Sequence, residues 1–284
     1  MASNRLAYPV AGYHSVAGLL ILLVTLGLAA DDDLQRVRGA SGNSDRFVMV
    51  RVQYDSSGGY GEAWYAYEGR IWQRWETDYP RAELNFLHRL TELTSIPTAS
   101  DPISLKLTDP AIYNYPFLFM SDVGWQVLSK KEKANLRRHL RNGGFLWVDD
   151  FWGSAEWRNF ARISQDAFPD WEWRDIPDDH ALLNIVYSLD RCPQVPARFF
   201  FETTGLSYDP FWSHRRPNGG DADLSQVHFK GLFDKGGRLL AVATHNTDIA
   251  DGWEREGEDQ EYFERFSVHT YALGINILMY ALTH

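Results

Sequence analysis

The residues best placed to do chemistry are carboxylates and aromatics that follow apolar runs. Asp149 and Asp150 close the run Phe145-Leu146-Trp147-Val148, and Asp122 follows Phe117-Leu118-Phe119-Met120-Ser121. Asn246 and Asp248 come after Leu239 to His245, and Tyr54-Asp55 ends the earliest such run. A carboxylate held at such a position can act as a general base, a hard metal ligand or a helix cap. Side chains alternate along an extended chain, so at most one of Asp149 and Asp150 faces a common cleft. His180 could orient a ligand or move a proton near neutral pH, which makes it the partner for an aspartate base in a hydrolase. Each residue also has a plain structural use, the aspartates as caps and His180 as an ordinary loop histidine.

Trp125, Trp152 and Trp253, with Trp64, Trp72, Trp75 and Trp212, fall at the expected ends of elements or in loops. Their faces could hold a sugar ring, or their burial could pin the loops. No cysteine cluster, His-x-x-His or His-Glu-x-x-His run is present, so neither a metal centre nor a cofactor is expected. Asp122, Asp149, Asp150, His180, His245 and Asp248 could meet as ligands only through the fold. Ser57-Gly58-Gly59-Tyr60-Gly61 is neither a P-loop nor G-x-G-x-x-G, and no G-x-S-x-G elbow occurs.

The elements that must position these groups read as an α/β fold with a mainly parallel sheet. The apolar runs do not alternate, which is the pattern of central strands covered by helices on both faces. Strands are expected over 47–54, 117–120, 145–150 and 238–244. A helix after Pro80 carries Phe86, Leu90 and Leu93 on one face. Ser129 with Glu132 forms a capping box for a second helix that Gly143-Gly144 stops. Ser154 caps a third with Trp157, Phe160, Ala161 and Phe168 inward, and a closing helix spans about Glu261 to Leu282. Prolines break 171–237 into short strands and long loops, with Pro217-Asn218-Gly219-Gly220 as a turn. Parallel order gathers the carboxyl ends of the strands at one edge, where such folds bind ligands.

The chain has 284 residues, of which 44% are hydrophobic and 14% aromatic, enough for one α/β core. Its net charge of −10 disfavours nucleic acid and anionic lipid as partners. Residues 1–30 combine Arg5, an apolar stretch from Val16 to Ala30 and small residues near the end, the pattern of a secretory signal peptide. An uncleaved membrane anchor is the rival reading, and it would supply the only membrane contact. Residues 31–45 read as a polar linker and 46–284 as the folded domain. Cys192 is the single cysteine, so no internal disulfide forms.

Tyr113-Asn114-Tyr115-Pro116-Phe117-Leu118-Phe119, then Leu128-Ser129 and the charged helix, Gly143 to Asp150, Asp179-His180 and Asn246 to Trp253 carry a family resemblance. Over about residues 46–283 the chain resembles a bacterial domain-of-unknown-function family, number four-one-five-nine, related to the class I glutamine amidotransferase-like fold. The resemblance implies a flavodoxin-like three-layer sandwich. Class I amidotransferases keep a cysteine at a strand-to-helix elbow. The corresponding elbow here is Asp150-Phe151-Trp152-Gly153, which leaves no nucleophile for a thioester. The trehalose-utilisation branch of that fold also lacks the cysteine and makes a carbohydrate conceivable by analogy. The expectation is an exported cell-envelope module that binds a small molecule or glycan through Tyr54, Asp122, Trp125, Trp152, Asn246, Asp248 and Trp253. A hydrolase using Asp149, Asp150 and His180, metal-assisted or not, and a protein-interaction domain are the alternatives.

Overall fold

The computed structural model describes residues 45–67, 69–208 and 224–284. The leader or anchor at 1–30, most of the linker, Trp212 and the turn at 217–220 lie outside the described residues. Asp45–His284 group as one compact unit. No helix among the described residues is long and apolar enough to cross a membrane.

In chain order the strands are β1 (Val50–Gln53), β2 (Asp55–Ser56), β3 (Trp64–Tyr67), β4 (Arg70–Gln73), β5 (Ile103–Lys106), β6 (Phe117–Ser121), β7 (Gln126–Val127), β8 (Phe145–Phe151), β9 (Glu172–Asp175), β10 (His228–Phe233) and β11 (Leu239–His245). The helices are α1 (Arg81–Leu93), α2 (Lys130–Arg141), α3 (Gly153–Ala167), α4 (Arg198–Thr204), α5 (Ile249–Glu254) and α6 (Val268–Thr283).

The central sheet has seven strands in the order β5-β1-β6-β8-β11-β10-β9. The first five are parallel, and β10 and β9 extend the sheet antiparallel. This is a flavodoxin-like three-layer sandwich, and the pleat explains its sequence. Phe117 and Phe119 of β6, with Phe145 and Trp147 of β8, pack on the face covered by α1, α5 and α6. Leu118, Met120, Leu146 and Val148 pack on the opposite face against α2 and α3. Both faces are buried, so both sets of alternating positions are apolar.

The capping box at Ser129 and Glu132 forms as expected, and Gly143 takes φ +99° after α2. His139, in the last turn of α2, is 3% exposed and packs against Gly144, where any side chain would collide with its ring. Burial pushes His139 down to about 4, against a hydrogen bond to the Pro116 carbonyl that favours the charged form. Its folded pKa lies below the unfolded value, so the stability it confers is complete above about pH 6.5 and is lost as pH falls toward 4. Urea unfolding of wild type against His139→Gln at pH 7 and pH 4 should show wild type losing up to about 3 kcal/mol more than the variant. Equal losses would contradict this.

Several local expectations are corrected. Trp152, not Ser154, is the residue before α3, and its own side chain does not cap that end; the Glu156 carboxylate and the Asn246 side chain accept the first N–H groups instead. Leu93 is exposed on the last turn of α1, beyond the reach of the sheet. The expected loop at 55–61 begins as β2, which pairs with β7. Within 171–237 the Phe199-Phe200-Phe201 run folds as helix α4 and ends at Gly205 with φ +70°. The closing helix is entered through Gln260–Tyr262 and a π-helical turn at Phe263–Ser267.

Candidate functional site

A cavity of about 630 Å³ opens at the carboxyl ends of β6, β8 and β11. Asp122, Asp150, Trp152 and Asp248 line it from those strand ends. Arg74, Thr77 and Asp78 join from the segment between β4 and α1, and Asp251 and Arg255 from α5 and its end. Tyr65, Phe199 and Phe200 add aromatic wall.

The two adjacent aspartates part company at an irregularity in the β8–β11 pairing, which runs from Ala243 opposite Val148 to His245 opposite Phe151. Asp149 is fully buried. It accepts hydrogen bonds from Thr244 Oγ1 at 2.5 Å and from the Ala250 backbone N–H at 2.9 Å, so it fastens α5 to the sheet. Burial raises Asp149 to about 7 while those hydrogen bonds oppose the shift. Asp150 adopts φ +53° and turns toward the cavity, where its Oδ1 accepts from Trp152 Nε1 at 3.0 Å. Left-handed backbone at a non-glycine residue is strained, and here it recurs at Asp78 (φ 65°), Asp122 (φ 55°) and Asn246 (φ 61°). Three of these four residues face the cavity.

Asp122 is neutralised by Arg74, whose NH1 lies 2.5 Å from its Oδ2, and Thr77 Oγ1 donates to the same oxygen at 3.1 Å. Tyr54 lies behind it, with its hydroxyl donating to the Ser121 carbonyl at 2.5 Å and lying 2.9 Å from that of Asp122. Arg81, Arg198 and Arg255 converge on Glu258 at 3.1, 2.8 and 3.1 Å. Among the described residues, Asp78, Asp150 and Asp248 make no ion pair. Burial, reinforced by the charges of Asp122 and Asp149, pushes Asp150 well above the usual carboxylate range. Burial and the charges of Glu254, Asp251 and Asp150 do the same to Asp78, and burial with Asp150 and Asp78 to Asp248.

A model of the family described as "Domain of unknown function (DUF4159)" matches residues 35–282. The chain belongs to this family. No curated protein matches it.

In this DUF4159 domain, Asp122, Asp150, Trp152 and Asp248 come together in the cavity, and the other sequence candidates do not line it. Asn246 is buried, and its Oδ1 accepts the Gly153 N–H at 2.8 Å, tying the end of β11 to the start of α3. The backbone carbonyl of Trp125 accepts from Ser57, within the small sheet of β2 and β7. Trp253 is fully buried, 4.5 Å from Phe86 and 5.3 Å from Trp147 between ring centroids, so it is a core residue and not part of a binding wall. His180 caps the turn Ala181–Leu183 through Nδ1 and lies against Tyr280 of α6. It therefore cannot serve an aspartate base in the cavity.

No sequence pattern singles out Asp78, Arg74, Asp251 or Arg255. Asp78 read as a helix-start residue before Pro80, and nothing local signals its left-handed backbone. Asp248 and Asp251 stand three apart at the start of a helix of six residues, too short for apolar periodicity to reveal.

Proposed function

We propose that this protein is an exported cell-envelope module whose cavity binds a small polar ligand of the glycan class. The observation that carries the reading is the cavity's mixed wall. Buried carboxylates face the same space as Trp152, Tyr65 and Phe199. Carboxylates accept hydrogen bonds from sugar hydroxyls, while aromatic faces cover the apolar C–H face of a ring. A concave site of this size supports a small ligand over a protein docking on a flat aromatic patch. Export rests on the apolar segment at 16–30 and the acidic stretch that follows it.

Hydrolysis is the second reading, favoured by one contrast. Asp122 is ion-paired while Asp150, in the same cavity, has no counter-ion among the described residues, and such unlike carboxyl environments are what acid–base pairs use. Thermal-shift and calorimetric screens of the full chain against oligosaccharides and cell-wall fragments, with and without EDTA, test the proposal. Binding of a glycan that weakens at least about tenfold in Trp152→Ala is expected, as for loss of a stacking face. Absence of binding under both conditions would overturn it. Release of reducing ends would move the second reading ahead of the first.

A further inference from the structure

We propose that Asp78, Asp150 and Asp248 form a binding site for an oxygen-preferring divalent cation in the floor of the cavity. Each offers one carboxylate oxygen, and these three atoms lie within 4.8 Å of one another. Oxygens that share a shell around Mg²⁺, Mn²⁺ or Ca²⁺, at metal–oxygen distances of about 2.1–2.5 Å, span at most about 4–5 Å. The trio therefore has the spacing of one coordination shell. All three donors are carboxylates, with no sulfur or imidazole among them, which selects hard cations over zinc or copper.

The unused hydrogen-bonding capacity of these side chains points independently to a ligand. Among the described residues Asp78 has no side-chain hydrogen-bond partner, and its Oδ2 is buried from solvent. Asp150 and Asp248 are 8% and 6% exposed, and each commits only Oδ1 to the fold, to Trp152 Nε1 and to the Asp251 N–H. An unpartnered buried carboxylate oxygen is costly, and two further carboxylates beside it with no counter-ion among the described residues add to the cost. The fold keeps them although four arginines border the cavity, because Arg74 is bound to Asp122 and the others gather on Glu258. A divalent ion supplies the missing countercharge and satisfies all three carboxylates. Its remaining positions open toward the aromatic wall, where water or vicinal hydroxyls of a polar ligand can complete the shell.

The site deepens the binding reading of the cavity and rests on it, yet it is tested with metal alone. The full chain is stripped with EDTA and titrated with Mg²⁺, Mn²⁺ and Ca²⁺ by thermal shift, and with Tb³⁺ by luminescence sensitised through Trp152. At least one divalent ion is expected to raise Tm by about 5 °C or more at saturation. Tb³⁺ emission should appear and be competed away by that ion. Asp78→Asn and Asp150→Asn should each weaken the apparent affinity at least about tenfold, as expected when one of three charged ligands is removed. Both variants should fold, because amides keep the shape and remove repulsion, and circular dichroism checks this. Asp170→Asn, on the surface away from the cavity, should bind as wild type. The site is overturned if no ion shifts the stripped protein, or if both cavity variants respond as wild type does. Glycan binding that persists in EDTA with no metal response would sink the cation site and leave the proposed function standing.

Discussion

Arg51→Met is expected to lower unfolding free energy by about 3–5 kcal/mol, the cost of breaking one side of a buried ion pair. Arg51 and Glu83 are both fully buried, with Nε 2.6 Å from Oε1. Arg51 projects from β1, and its NH1 also donates to the backbone carbonyls of Trp75 at 3.1 Å and Thr77 at 2.7 Å. Burial already pushes Glu83 upward while Arg51 pulls it back, so removing Arg51 leaves the carboxyl to take up a proton. The double variant Arg51→Met/Glu83→Leu should recover most of the loss, since apolar side chains of similar volume replace such pairs well. The Thr77 carbonyl immediately precedes Asp78, and that of Trp75 lies three residues before it. The single variant should therefore also weaken cation binding, although Arg51 does not line the cavity. Urea unfolding measures the first effect and metal titration the second. A loss under about 1 kcal/mol would contradict the buried-pair account.

Trp253→Ala should cost about 3–5 kcal/mol, as truncation of large buried aromatics does. Its ring fills the space between Phe86 of α1, Phe119 and Trp147 of the sheet, and Tyr271 of α6. Gly274 of α6 approaches the same ring closely, and a Cβ there would stand 2.8 Å from Trp253 Cζ2. Trp253→Ala thus removes the joint between α5, α1 and α6. Whatever folded protein remains should bind the cavity ligand with little change in affinity, whereas Trp152→Ala, at a position that is also buried, should weaken binding in the fraction that stays folded. Measuring Tm and affinity for both variants separates the core tryptophan from the cavity tryptophan. A selective loss of affinity in Trp253→Ala would place it in the site after all.

The contrast between these tryptophans shows what the sequence could and could not convey. Unbroken apolar runs at 117–120, 145–148 and 239–243 mark central strands because both faces of the sheet are covered, and the polar residues after them locate the cavity edge through Asp122, Asp150 and Asp248. Alternation leaves at most one of Asp149 and Asp150 for the cleft, but the left-handed backbone that turns Asp150 into it is not written in the pattern. Trp253 looked like a loop aromatic because α5 has only six residues, too few to show which side turns inward. Asp78 could not be found by pattern, since a left-handed backbone at a non-glycine residue is set by tertiary contacts such as those of Arg51 to Trp75 and Thr77. His180 stands out in the sequence by its residue type and its place beside Asp179, and its location beside Tyr280 follows from a connection with no periodic signal.

The most direct test of the account is a crystal structure of the protein soaked in Mn²⁺, with anomalous difference maps recorded at the manganese edge. A peak within about 2.5 Å of one oxygen each from Asp78, Asp150 and Asp248 is the predicted result. Strong diffraction with no anomalous peak there, and with the three carboxyl groups hydrogen-bonded to one another through shared protons, would contradict it.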